Sequence, residues 1–585
     1  MAGRIKTSSD AGARVHGLHH RPLGLLPRRS AYLAAALALA GLTVAAPEAH
    51  AQSGSTAYWY GTLSPNWSGT GNWSYSSSGG ATSIVPTSGA SLRWFVSSTG
   101  NRTSTNDIVG LSVAGMSFQG TTGTHTLNGS NKLTLTGAIT AVDATLVTFN
   151  MPLELNAGTV QVAGGNDALK LNGVISETGG SRQLQVTTGT VTLGADNSFS
   201  NGIMVGISAA GAVRVGSIAN IGVNQPLGSG TLVILGQSSG TGTLIYTGAG
   251  DVSTNKRLQI GRSDSGPLGT AIIRNNGSGV ITWSGSQNTT SNFASNRTFI
   301  LGGTNAGANT WAAAIVNNSA SGTVSFIKAD AGTWRLSGSN TYSGATSITG
   351  GRLEITSAGS INSTSGVTLN GGEFKYNSAT ALNKAITFTS GTISGTGSIG
   401  VAVTAATNNV LSPGNSPGTQ AYTTGLTLAP GGTYVWETNS GTGTQGVNWD
   451  VINVTAGGLN LSSLSSGAKF NLDLTTLTAS GSSGPMDNYT AGGSYTWRIF
   501  DANALTLPGS FGLPYTAGTD ITSLFNLVTT NWKNPEPGSG NMSVKVAANG
   551  TGIDLVVVPE PATLILAGLG VGIAGLMIRH RRRSL

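Results

Sequence analysis

The chain has no cysteine, one histidine in its long central span, and very little charge: Asp, Glu, Lys and Arg make up 9% of 585 residues. Without cysteine there is no disulfide framework and no thiolate metal site, and an oxidising compartment holds no redox hazard. Stability must come from burial and backbone ladders. Between Gln52 and Val558 the single histidine is His125, in Thr124-His125-Thr126. That excludes a His-cluster metal site and a catalytic His pair, and alone in a Thr-rich stretch it reads as a surface residue. Carboxylates number nineteen over the same span, none in the close Asp/Glu pair that glycosidic hydrolysis uses; Asp501 and Glu354 each stand alone. Gly164-Gly165-Asn166-Asp167 has the form of one calcium-binding β-roll turn, but that motif works in tandem and occurs once. No phosphate-binding glycine loop with its lysine and no nucleophile elbow is present. The expectation is no catalytic residue, no metal and no cofactor.

The net charge of +8 suggests nucleic acid until the charges are located. Of thirty basic residues, six (Arg4, Lys6, Arg14, Arg21, Arg28, Arg29) precede the first apolar run and four (Arg579, Arg581, Arg582, Arg583) close the chain. The remaining twenty face nineteen acidic residues between Gln52 and Val558, so the body is nearly neutral and lacks the electrostatic footprint of nucleic-acid binding.

What is abundant is glycine, 88 residues, punctuating short runs of Val, Ile, Leu and aromatics. Disordered segments lack such regular apolar recurrence, so the body reads as all-β. Ser347-Ile348-Thr349-Gly350-Gly351-Arg352-Leu353-Glu354-Ile355 aligns with Thr368-Leu369-Asn370-Gly371-Gly372-Glu373-Phe374-Lys375-Tyr376 at an offset of 21 residues. Each half alternates apolar with polar, as a strand with one buried face does, and the Gly-Gly pair permits a sharp corner. A weaker Gly-Thr-apolar-x-apolar unit recurs from Gly158, Gly189, Gly230, Gly242, Gly322 and Gly332. A period near 20 residues predicts a right-handed parallel β-solenoid (β-helix); the alternative, a β-sandwich array, wants longer strands without a common period. About 380 residues at roughly 20 per coil predict about 19 coils and a rod about 90 Å long. The expected domains are residues 52–110 as an aromatic-rich cap, 111–430 as solenoid, and 431–558 as a C-terminal β cap carrying Trp436, Trp449, Trp497 and Trp532. Trp59, Trp67 and Trp73 suit packing in the first cap, or stacking on sugars as a second reading.

The two ends carry the clearest signals. Residues 1–51 hold Arg28-Arg29, an apolar run from Ala31 to Ala46, and Ala49-His50-Ala51, the three parts of a secretory signal cut after Ala51. The implied partners are the Sec machinery and signal peptidase. Residues 559–585 begin Pro559-Glu560-Pro561, continue through seventeen uncharged residues, Ala562 to Ile578, and end in Arg579, Arg581, Arg582 and Arg583. As a helix the uncharged stretch spans about 26 Å, enough for one transmembrane helix in a thin bilayer, with the arginines held cytoplasmic. The prolines keep the segment outside it extended and accessible. An internal Pro535-Glu536-Pro537 is followed by Gly538-Ser539-Gly540-Asn541 instead and reads as a loop.

This tail resembles the PEP-CTERM sorting signal of Gram-negative bacteria, which implies exosortase, a membrane-embedded cysteine protease, as a partner. It implies an inner-membrane-anchored precursor, then cell surface, outer envelope or extracellular matrix. Such bacteria usually make exopolysaccharide, so a biofilm, floc or envelope role and an exopolysaccharide partner follow from the resemblance. Within the body, Ala331-Gly332-Thr333-Trp334-Arg335-Leu336-Ser337-Gly338-Ser339-Asn340-Thr341-Tyr342-Ser343-Gly344-Ala345-Thr346 is similar to the autotransporter-associated β-strand repeat. Gly189 to Gly202 is a degenerate copy, and Leu411 to Thr419 resembles the loop that ends such repeats. This likeness implies a β-helical, passenger-like stalk; a C-terminal membrane β-barrel is replaced by the single helix, so self-export is not expected. The function expected is an exported, non-enzymatic surface or matrix protein, with a carbohydrate-binding adhesin as alternative and a polysaccharide-active enzyme behind it.

Overall fold

A computed structural model describes residues 49–50, 54–61, 64–78, 84–95, 102–119, 123–141, 146–165, 167–261, 269–287, 295–319, 322–512, 514–535 and 541–558. Among these residues the chain is all-β, apart from two short 3-10 turns at Gly509–Phe511 and Thr522–Leu524. Strands are brief because alternation is interrupted by glycine every few residues, and each brief strand finds a parallel partner one repeat away.

Three ladders are visited in rotation. Ile139–Ala141 pairs with Thr159–Gly164, which pairs with Gln183–Leu193. Leu146–Phe149 pairs with Leu169–Leu171, which pairs with the far half of Gln183–Leu193. Leu133–Leu135 pairs with Leu153–Leu155, then with Ile175–Glu177. All are parallel, the pairing pattern of stacked solenoid coils, whereas a sandwich array would pair antiparallel. Register turns the sequence alternation into columns: Val147 faces Leu169, Val191 and Val213 in succession, every one buried. Each fully buried aliphatic contributes about 1.5–3 kcal/mol, so the interior column, rather than any one strand's propensity, holds a coil. The offset read from the sequence is the register observed, with Ser347 opposite Thr368 and Arg352 opposite Glu373.

Glycine sits where a side chain would meet the coil below. Gln183–Leu193 passes from one ladder to the next at Gly189, whose φ is +67° and where a Cβ would lie 1.8 Å from the Gly164 carbonyl oxygen. Gly372, with φ +70°, repeats the situation over Gly351 at 2.5 Å. Positive φ and a backbone neighbour together admit only glycine.

The parallel ladders run on across residue 431, where the change in sequence texture suggested a separate cap. Asn409–Pro413, Thr433–Thr438, Phe470–Thr476 and Phe525–Val528 pair in succession, as do Thr419–Tyr422, Val451–Val454 and Tyr495–Ala502. What changes there is connection length: register partners are 19 residues apart at Arg335 and Glu354 but 55 apart at Asn471 and Asn526. Antiparallel pairing closes this end, Ile553–Val557 lying between Tyr495–Ala502 and Met542–Val546. At the other end Thr56–Trp59 pairs antiparallel with Trp73–Ser74 while joining Ser91–Phe95 in parallel. Among the described residues no helix is long and apolar enough to cross a membrane. The expected transmembrane segment falls on residues 559–585, outside them.

Candidate functional site

The motif that carries the repeat resemblance is an inter-coil clamp. Asn340, almost fully buried, accepts the Ile315 backbone N–H from the preceding coil at 2.9 Å and donates to the Ser360 carbonyl of the following coil at 2.9 Å. One amide thus joins backbone groups of two other coils at a corner whose ladder is reduced to a single bridge, Ser339 opposite Ser360. Two residues on, the buried Tyr342 bonds its hydroxyl to Thr346 at 2.6 Å, and Thr346 donates to Thr364 at 3.0 Å, a hydroxyl chain crossing coils. The degenerate copy keeps the same physics: Asn197 accepts the Ile175 N–H at 2.7 Å and donates to the Pro226 carbonyl at 2.8 Å, with Phe199 buried beside it. The hydroxyl of Tyr342 is dispensable there; the amide is not.

Outside, Arg335 pairs with Glu354 at 2.9 Å and Arg352 with Glu373 at 2.7 Å, each linking neighbouring coils on a face where the arginines are nearly half exposed. Such pairs contribute under about 1 kcal/mol. More informative are ionisable groups inside. His125 occupies the inward column opposite Val147 and is 2% exposed, which corrects the surface assignment. Burial, then the nearby Arg102 charge, lowers its pKa to about 4, so the ring is neutral. Register decides this: one residue either way would turn it to solvent. Lys328 lies in the same column family, its ammonium donating to the carbonyls of Ala329, Asp330 and Gly350 at 2.6 to 2.9 Å, with burial lowering its pKa to about 8.

One carboxylate pair does converge, although the two residues are 13 apart in sequence. Asp450, fully buried, accepts the Gly418 N–H at 2.6 Å and the Glu437 N–H at 3.1 Å, tying the turn between Asn409–Pro413 and Thr419–Tyr422 to strand Thr433–Thr438. Burial, then the charge of Glu437, holds its carboxyl well above the ordinary range. Its oxygens face backbone amides and no solvent, an arrangement that fastens a loop and offers nothing to a substrate. Asp501 bonds Arg498 at 3.0 Å and Asp167 meets Arg214 at 2.8 Å, so each is paired with an arginine. Among the described residues no group of three His, Cys, Asp or Glu could hold a metal ion.

Trp59, Trp67 and Trp73 are 2%, 0% and 1% exposed. They pack edge to face with one another at 4.9 and 5.8 Å and with Trp94, so the sugar-stacking reading fails for want of an exposed ring face. Ala49 lies in a two-residue strand opposite Ile84. Ala51, Pro559, Glu560, Pro561, Arg579, Arg581, Arg582 and Arg583 lie outside the described residues, as do Glu536 and Pro537 of the internal copy. Sequence reasoning missed the Asp450–Glu437 pair because no spacing rule links a strand to the loop that returns over it.

Comparison with known proteins meets these features at two places. Residues 326–355, which contain Asn340 and Tyr342, match the family model of the passenger-associated-transport-repeat, and residues 557–583 match that of the PEP-CTERM protein-sorting motif. The chain therefore carries an autotransporter-type repeat and a PEP-CTERM sorting tail, and the tail marks it as an exported, cell-surface type of protein. Over 177 residues the chain is 34% identical to the adhesin BmaC autotransporter of Brucella suis biovar 1 (strain 1330), a match covering 29% of this chain. It spans 5% of the length of that relative.

Proposed function

We propose that this protein is an exported, non-enzymatic scaffold: a right-handed β-solenoid, in keeping with the hand of parallel crossovers, displayed on the cell surface or in the extracellular matrix. Its precursor is held in the inner membrane by the C-terminal tail, and exosortase cuts near Pro559-Glu560-Pro561 and passes the body outward. An association with exopolysaccharide, in biofilm or floc, completes the reading. The observation that carries it is the order of parts: the sorting motif starts at residue 557, at the end of Ile553–Val557, the last strand among the described residues of a stack built from parallel ladders. A rod of this kind supplies length and surface, not a water-excluding reaction site.

The test is mass spectrometry of C-terminal peptides from separated membrane, envelope and medium fractions. A chain ending between Pro559 and Ala562 in envelope or medium is expected. An intact arginine-rich terminus confined to the inner membrane would make it a tethered periplasmic protein and remove the sorting step.

Adhesion is the second reading, supported by the 34% identity to a protein named as an adhesin. It predicts saturable binding of the purified body to a surface or glycan; deletion that alters biofilm architecture without any such binding points to the scaffold alone.

A further inference from the structure

The chain leaves the fold from a strand held on both sides. Val557 stands opposite Tyr495 on one edge and Met542 on the other, and the Val558 N–H still donates to the Asn541 carbonyl at 3.0 Å. The uncharged stretch begins at Ala562. Four residue steps of at most about 3.6 Å give a reach of about 14 Å between Val558 and Ala562. A seventeen-residue helix is about 26 Å long against a hydrocarbon core of about 30 Å, so none of it is spare to lengthen the link. With the tail in a bilayer, the surface around Val557 is therefore held at headgroup depth.

That surface is aromatic. Tyr489 stacks on Tyr495 at 4.9 Å and 21°, and Tyr495 on Trp497 at 5.3 Å and 3°. Trp532 meets Tyr489 edge-on at 5.7 Å. Trp497 and Trp532 are buried, whereas Tyr489, Tyr495 and Met542 remain partly open and Val558 is 42% exposed. The stack is rigidly backed: a Cβ at Gly441 or Gly493 would come within 2.9 or 2.8 Å of the Tyr495 ring, and the Tyr495 hydroxyl accepts the Thr490 N–H at 2.6 Å. Rings with an apolar body and a wet hydroxyl are the side chains that favour the boundary between lipid headgroup and acyl chain. Charge does not explain the patch, since exposed Lys533 on one flank is offset by exposed Asp487 on the other.

We propose that Tyr489 and Tyr495, with Met542, form the face on which the tail-anchored form rests against the lipid headgroups, and that release of the tail frees it. This rests on the membrane reading of residues 559–585, so the experiment reads the two separately. The full chain is reconstituted in vesicles of phosphatidylethanolamine and phosphatidylglycerol; flotation reports tail insertion, and hydroxyl-radical oxidation of Tyr489 and Met542 reports contact. The comparison is a chain with a twenty-residue Gly/Ser linker inserted after Val558, about 25 Å of extra average span. Both should float, with Tyr489 and Met542 oxidised several-fold more slowly in the natural chain, and the difference should persist at high salt. Equal oxidation in two floating chains overturns the contact while sparing the anchor. Failure of both to float overturns the anchor and the contact with it. Protection of Tyr489 in the linker chain by cellohexaose, without protection by the bilayer, would reassign the stack to a saccharide.

Discussion

The coils around residues 326–376 and those beyond residue 431 use the same parallel ladders but solve their corners differently. In the first, partners recur every 19 to 21 residues and the corner backbone is satisfied by in-register side chains such as Asn340 and Thr364. In the second, up to 55 residues separate partners, and a buried carboxylate, Asp450, fastens the returning loop. Ladders need only that inward columns align; constant coil length is a demand of the corners. Where a corner is a fixed side-chain device the sequence repeats visibly, and where it is a loop the repeat disappears although the coil continues.

Glycine substitution separates the two most sharply. Gly372→Val adds a side chain at φ +70° with a carbonyl oxygen 2.5 Å from its Cβ, and a loss above about 4 kcal/mol, or failure to fold, is expected by urea titration. Gly518→Val has a similar φ of +83° but open space, so only backbone strain of about 1–3 kcal/mol is expected. Equal losses would refute the close-contact account of the corners.

Removing the clamp comes next. Asn340→Leu strands the buried Ile315 N–H, since the Ser360 carbonyl keeps the Asn340 backbone N–H, and should cost about 1–3 kcal/mol; Asn197→Leu strands both the Ile175 N–H and the Pro226 carbonyl and should cost at least as much despite its degenerate motif. Exposed Asn172, which bonds only its neighbour Asn150, should change stability by less than about 0.5 kcal/mol when replaced by alanine.

Acid should act oppositely on the two ends. His125 has its folded pKa lowered from 6.5 to about 4, so the unfolded chain binds more protons in that window and stability falls as pH drops from 6.5 to 4 by up to about 3 kcal/mol. Asp450 has its folded pKa raised, so the folded chain holds the extra proton and this contribution is lost as pH rises above the ordinary carboxylate range. Denaturation midpoints across pH for His125→Leu and Asp450→Asn should each flatten one slope and leave the other. The smallest effect is Arg352→Ala, under about 1 kcal/mol and vanishing in high salt, because its partner Glu373 is reached across a solvated face.

The repeat, its register and its Gly-Gly corners were readable because each rests on local alternation or on a backbone conformation that one residue type permits. The Ser347/Thr368 alignment became a pairing residue for residue. Where one kind of pairing gives way to the other was not readable: Trp436 stands opposite Leu474 in the same parallel ladder as Leu411 and Tyr434, whereas Trp497 stands opposite Leu555 in the antiparallel pairing. Trp59, Trp67 and Trp73 could not be placed either, since a tryptophan in a Gly-rich stretch looks alike whether it faces solvent or three other indoles.

By itself the sequence determined an all-β, glycine-cornered chain, a neutral body without cysteine, and a sorting tail, because composition, periodicity and an ordered motif need no knowledge of distant neighbours. Only the tertiary structure decided that His125 is a buried neutral ring, that Asp450 and Glu437 meet, that Asn340 bridges three coils, and that an aromatic stack stands where the tail departs. Each of these depends on which coil lies above and below. That is set by how many residues the intervening corner consumes, a length that no single strand encodes.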